Sequence, residues 1–253
     1  MKMSKYLFLF VFGLIISVNA LSQEDQKFKK GVDEYTAGNY SEALQSWIDI
    51  YNSGYRSAGL SYNIGNAYFK LGDIPNAILF YERAYLLKPA DENINYNLQI
   101  AKSLTVDRFN EIPELFFMKW FNFVSLMLPG NTWSIISLTD FVLCLVFLSI
   151  YIYSSRYRLK VAGFWIALVF FVFSVGGIAC SWQNRSLVND SHKGIISVPQ
   201  VSGKSSPDSS GTDLFVIHEG TKVSIGEELS GWYEITLSDG NKGWIQTNSL
   251  NII

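Results

Sequence analysis

The sequence predicts a multidomain membrane protein in three parts: an all-α array of helical repeats, two transmembrane helices and a small all-β barrel. Three observations predict it. Two apolar runs, residues 134–153 and 161–180, are each 20 residues long, and at about 1.5 Å per helical residue each matches the roughly 30 Å hydrocarbon core of a bilayer. Between residues 27 and 91 the chain resembles itself at an offset of 34 positions. After residue 193 it changes to short β-rich runs separated by Ser, Gly, Asp and Pro clusters.

The first segment, 1–20, places Lys2 and Lys5 before the apolar run Tyr6 to Val18, with small residues at Val18 and Ala20. This is the layout of a secretory signal peptide cleaved near Ala20, or of an uncleaved anchor; either exports the segment after it.

In the repeat region, 24–110, the 34-residue offset aligns Gly31 with Gly65, Tyr35 with Phe69, Gly38 with Gly72, Ala43 with Ala77 and Trp47 with Tyr81. Small Gly65 and Ala77 let two antiparallel helices approach, Gly72 and Asp73 turn the chain between them, and Pro89 stops the second helix. The period and these positions are those of tetratricopeptide repeats, so two repeats and a capping helix from Asn93 to about Val106 form a short superhelix. Its inner face, drawn from the first helix of each pair, offers Phe28, Tyr35, Tyr62, Asn63, Asn66, Phe69 and Asn97 as a protein-binding groove. The amides suit a bound backbone and the rings its side chains. For Tyr35 and Phe69, packing between repeats is the equal alternative.

Residues 111–130 are too short to span and too apolar for a solvated linker, so they read as a helix in the membrane–water interface or, alternatively, as one docked on the repeats. Trp120 and Trp133 are its expected membrane anchors. Within the first span Asp140 has two readings: contact with the outer headgroups, or pairing with a polar group on a partner's helix. The link 154–160 holds Arg156, Arg158 and Lys160 and no acidic residue, which places it in the cytoplasm and both flanking modules outside. Cys144 and Cys180, the two cysteines, fall inside the spans and read as packing residues.

Residues 181–193 are polar and read as a linker. In 194–253, strands are expected at 194–201, 213–217, 222–228, 232–237 and 242–246, with Ser238 to Asn241 as a hairpin turn. Trp232, Tyr233 and Trp244 are its candidate ligand-contacting aromatics. The net charge of −2 offers no basic field for nucleic acid. With two histidines, no nucleophile motif, no metal-ligand spacing and no phosphate-binding Gly loop, neither an enzyme nor a cofactor site is expected.

The segments LFVIHEGTKV, GWYEITLSDGNKGWI and KSSP resemble bacterial SH3-like domains, and YNIGNAYFKLGDIPNAILFYERAYLLKP resembles a tetratricopeptide repeat. The order of signal peptide, repeats, EIPELFFMKW, hairpin and SH3-like tail resembles the BatE-type aerotolerance proteins of Gram-negative bacteria. That resemblance implies an inner-membrane protein with both modules periplasmic. It also implies work beside von Willebrand factor A-domain membrane proteins and a MoxR-type ATPase, in oxygen tolerance or envelope integrity. The expectation is a noncatalytic scaffold; a peptidoglycan-binding or envelope-sensing anchor acting through the barrel is the alternative.

Overall fold

The computed structural model describes residues 24–109, 115–189 and 192–253; the expected signal segment 1–20 and residues 111–114 lie outside them. The described residues open with five helices: α1 (24–36), α2 (Tyr40–Asn52), α3 (Ala58–Leu71), α4 (Ile74–Leu87) and α5 (Glu92–Ser103). Their ends reflect local chemistry. Ser57, Asp73 and Asp91 accept the orphan N–H groups of the first turns of α3, α4 and α5. Gly72 closes α3 in the left-handed region at φ 82°.

The 34-residue offset is visible as packing. A Cβ on Gly31 would lie 2.4 Å from the Trp47 indole nitrogen, and one on Gly65 would lie 2.6 Å from a Tyr81 ring carbon. Each glycine therefore lets one large ring of the next helix lie flat on the helix before it. Trp47, Ile64, Ala77, Ile78 and Tyr81 are the centre of the resulting core.

Helices α7 (Gly130–Tyr153) and α8 (Tyr157–Val188) are long and apolar enough to cross a membrane. Both outrun the expected spans. α8 continues as helix through Ser181 to Val188, where the sequence reads as a polar linker, because its polar side chains find tertiary partners. Asn184 accepts the Gly130 N–H at 2.9 Å and donates to the Ser125 and Leu128 carbonyls at 3.1 and 3.2 Å. Gln183 donates to Asn122 at 2.8 Å. The corner between α6 (Phe116–Leu126) and α7 is thereby fixed to the end of α8. Within the hairpin, Ser137 donates to the Ser174 carbonyl (2.8 Å) and Ser174 to the Ser137 carbonyl (3.0 Å), a reciprocal pair that satisfies both hydroxyls. Cys144 and Cys180 are buried and unbridged.

The last part is one antiparallel seven-stranded sheet: β1 (Lys193–Ile196), β2 (Gln200–Lys204), β3 (Asp213–His218), β4 (Lys222–Leu229), β5 (Trp232–Thr236), β6 (Lys242–Gln246) and β7 (Leu250–Ile252), in the order β3-β2-β6-β5-β4-β1-β7. The single strand expected over 194–201 is two. Pro199 cannot donate to a ladder, and the chain leaves β1, paired with β4 and β7, to enter β2 between β3 and β6. Strand β7, which the sequence does not announce, closes against β1.

The helical array and the sheet share their cores. Ile195 of β1 belongs to the core of the helical array, with Ile253 packed on it, and Phe109 packs into the core of the sheet.

Candidate functional site

The expected groove is only partly assembled. Asn66 on α3, Asn97 on α5 and Tyr81 on α4 meet: the Tyr81 hydroxyl donates to Asn66 Oδ1 at 2.7 Å, and Asn97 Nδ2 donates to Asn66 Oδ1 and to the Tyr62 hydroxyl, both at 2.9 Å. Above them lies a cavity of about 140 Å³ lined by Tyr35, Asn66, Phe69, Lys70, Tyr81, Asn97 and Ile100. Asn66 Nδ2 and Asn97 Oδ1 have no partner among the described residues, so one amide donor and one amide acceptor are left beside this cavity. Burial, reinforced by Tyr62 and Tyr35, raises the Tyr81 phenol above its ordinary pKa and keeps it a donor.

Phe28 does not join this cavity. It packs against Trp47 with ring centres 6.3 Å apart, and its carbonyl accepts the Trp47 N–H at 3.3 Å. Tyr35 does both jobs, lining the cavity and packing 5.9 Å from Trp47. Tyr62 sits beneath the cavity, holding Asn97. Asn63, half-buried on α3, makes no side-chain hydrogen bond among the described residues.

The expected membrane-contact residues separate by role. Trp120 is 66% exposed on α6, on a face with Phe116, Phe117 and Phe123. Trp133 is half-buried and donates to the Ser125 carbonyl at 3.1 Å, so it ties α7 to α6. Asp140 lies ten residues into α7, about 15 Å from its start, half-buried and without a charged partner among the described residues. On the sheet, cross-strand pairing sets Trp232 against Gln246 and Glu234 against Trp244, which places both tryptophans on one face. Tyr233 pairs with Ile245 and packs against the core, so it belongs to the opposite, inner face rather than to the expected aromatic surface.

A polar cluster lies where the helical array meets the sheet. Glu82, 2% exposed on α4, is held between Lys102 of α5 (2.6 Å) and Lys222 of β4 (2.8 Å). Burial opposes its charge, but Lys222 and then Lys102 outweigh that cost and lower its pKa from 4.5 to about 2. Just beyond α5, Asp107 accepts the His218 N–H (2.6 Å) and the Thr221 hydroxyl (2.7 Å) and meets His218 Nδ1 at 2.9 Å. Although partial burial works against ionisation, those bonds, led by Thr221, hold its carboxyl below the usual range. Gly220 completes the turn at φ 81°, and a Cβ there would lie 2.7 Å from Thr105. Sequence reading singles out none of these carboxylates. The available signal is Glu82 itself, a charge on the apolar face of α4 among Ile78, Leu79, Tyr81 and Ala84.

Residues 204–251 match the bacterial SH3 domain family, a stretch running from the end of β2 into β7. No curated protein matches the chain.

Proposed function

We propose that the protein is a noncatalytic membrane scaffold, in which a tetratricopeptide array and an SH3-like barrel stand together on the exported side of a transmembrane hairpin and gather partner proteins. The observation that carries this reading is the α3–α5 cavity, where an amide donor and acceptor remain unpaired beside Tyr35 and Phe69. An extended segment of a partner fits that chemistry: its peptide groups pair with the amides and a side chain enters between the rings. The BatE-type resemblance supplies the partner class, von Willebrand factor A-domain membrane proteins, with a MoxR-type ATPase acting indirectly, and the setting, a bacterial inner membrane with both modules periplasmic. The basic link Arg156 to Lys160 supports that orientation.

A photo-crosslinking residue at Asn66 or Phe69 tests it in cells that carry A-domain proteins. Capture of an A-domain protein from these positions, and not from exposed Glu42, is the expected result. Equal capture from all three, or none, removes the reading. The shared face of Trp232 and Trp244 favours a second function for the barrel, binding of cell-wall peptides, since indole faces suit such ligands. Sedimentation of the detergent-solubilised chain with purified peptidoglycan decides it: binding must occur and must fall when both tryptophans are replaced by alanine.

A further inference from the structure

A second cavity, of about 360 Å³, opens where α2, α4, the end of α8 and the last residue of the chain meet, and it lies apart from the proposed groove. Two guanidinium groups border it. The central carbon of Arg56 sits 3.5 Å from the centre of the Tyr51 ring, and that of Arg83 lies 5.5 Å from the same centre and 4.8 Å from that of Phe80. Neither arginine meets a carboxylate among the described residues. Arg56 Nη1 donates to the Tyr51 and Tyr55 carbonyls, and Arg83 Nη2 donates to the Ile252 carbonyl at 2.7 Å. Those bonds fix both groups in place and leave their remaining N–H donors free. Burial pulls the Arg83 guanidinium below its ordinary pKa; Tyr51 opposes that shift and the charge of Arg56 adds to it.

The third component is independent of charge. Ser61 lines the same cavity at 1% exposure, and its hydroxyl has no hydrogen-bond partner among the described residues. A buried hydroxyl without a partner is costly, and a ligand oxygen removes that cost. We propose that this cavity is a phosphate-binding site, with Arg56 and Arg83 as the charged donors and Ser61 as a neutral one. A single carboxylate neutralises one guanidinium through two oxygens and leaves the other uncompensated. Phosphate brings more acceptor oxygens and, as a monoester, about two charges, which matches two cations and a hydroxyl. The site's position allows two sources. Val188, on its wall, lies eight residues beyond Cys180, about 12 Å past the apolar run, next to the headgroup layer of a bilayer around α8.

The full chain in phosphatidylcholine nanodiscs is titrated with inorganic phosphate by calorimetry. In a second arm, without free phosphate, the nanodiscs carry phosphatidic acid, whose headgroup is a phosphate monoester, and its retention is read by native mass spectrometry. Saturable phosphate binding identifies a soluble source, and selective phosphatidic acid retention over phosphatidylcholine identifies a headgroup; either supports the site. Arg56→Ala, which leaves the Arg83 bond to Ile252 intact, is expected to weaken the response at least about tenfold, and Ser61→Ala several-fold. The proposal is overturned by no response in either arm, by a response that both variants leave unchanged, or by acetate binding as tightly as phosphate.

Discussion

At the scale of the residue, Glu82 governs how the helical array and the sheet meet. A buried carboxylate between two lysines is held by a balance in which its desolvation is the large unfavourable quantity. The lysines are less demanding, because their side chains are 44% and 37% exposed and can turn to water if released. That asymmetry sets the order of costs. Glu82→Gln loses charged hydrogen bonds worth about 1.5–3 kcal/mol, whereas Lys102→Ala with Lys222→Ala strands a buried charge and costs about 3–5 kcal/mol. Chemical denaturation followed by tryptophan fluorescence measures both, and a larger loss from Glu82→Gln would refute this ordering. The same group sets an acid limit. Its folded pKa of about 2 lies below its ordinary 4.5, so its contribution is complete above about pH 4.5 and is lost as pH falls toward about 2. Asp107, also lowered, adds loss in the same direction. The stability of the intact chain should fall between about pH 5 and about pH 2, and Glu82→Gln should flatten that slope; an unchanged slope in the variant would assign the acid sensitivity elsewhere.

At the scale of the element, close approach decides the geometry of both helical regions. Gly65→Ala puts a methyl into the buried Tyr81 ring, which is also held by Asn66, so the α3–α4 pair must spread. A cost of about 1–3 kcal/mol is expected, with weaker closure of the α3–α5 cavity, read as faster hydrogen exchange at Asn97. An unchanged unfolding midpoint would show that the helices shift freely. Both repeated helix pairs are legible in the sequence because a small residue 16 positions before a ring leaves a pattern that repeats at 34. The end of α8 is not legible: Gln183 and Asn184 read as solvated until Asn122, Ser125 and Gly130 are brought against them. The break at Pro199 marks where one expected strand becomes two, yet nothing local tells that β1 pairs with β7 rather than with β2. Of the expected groove, Asn66, Asn97 and Phe69 are found from helical spacing. Phe28 is misplaced because spacing along α1 does not show that its neighbour Gly31 gives Trp47 the space to cover it.

At the scale of the whole molecule, the sheet is not a tethered module but a continuation of the helical array. Their junction combines the Glu82 ion triad, the Asp107 hub and the Arg83 bond to Ile252, with Ile195, Ile253 and Phe109 crossing between cores. Sequence reading separates these parts because each polar contact across the junction links residues more than a hundred positions apart, whose partner types are common on any surface. The junction also gives the long α8 a purpose, since a rigid end reaching Val188 brings the next strand to the flank of α4, where Tyr85 and Leu86 share a cavity with Leu187 and Lys193. If the junction holds on its own, the covalent link between α8 and β1 is dispensable. A protease-recognition sequence inserted between residues 190 and 191 tests this: after cleavage at neutral pH, the C-terminal fragment should still co-elute with the rest of the chain in size-exclusion chromatography. Cutting removes the high effective concentration that the link provides, so retention reports the strength of the junction alone. Glu82→Gln combined with Asp107→Asn should release the fragment while leaving its own fold intact, because neither residue belongs to the sheet. Release of the unsubstituted fragment at neutral pH would mean that the contacts position the sheet without holding it, and the protein would then present two independently moving surfaces.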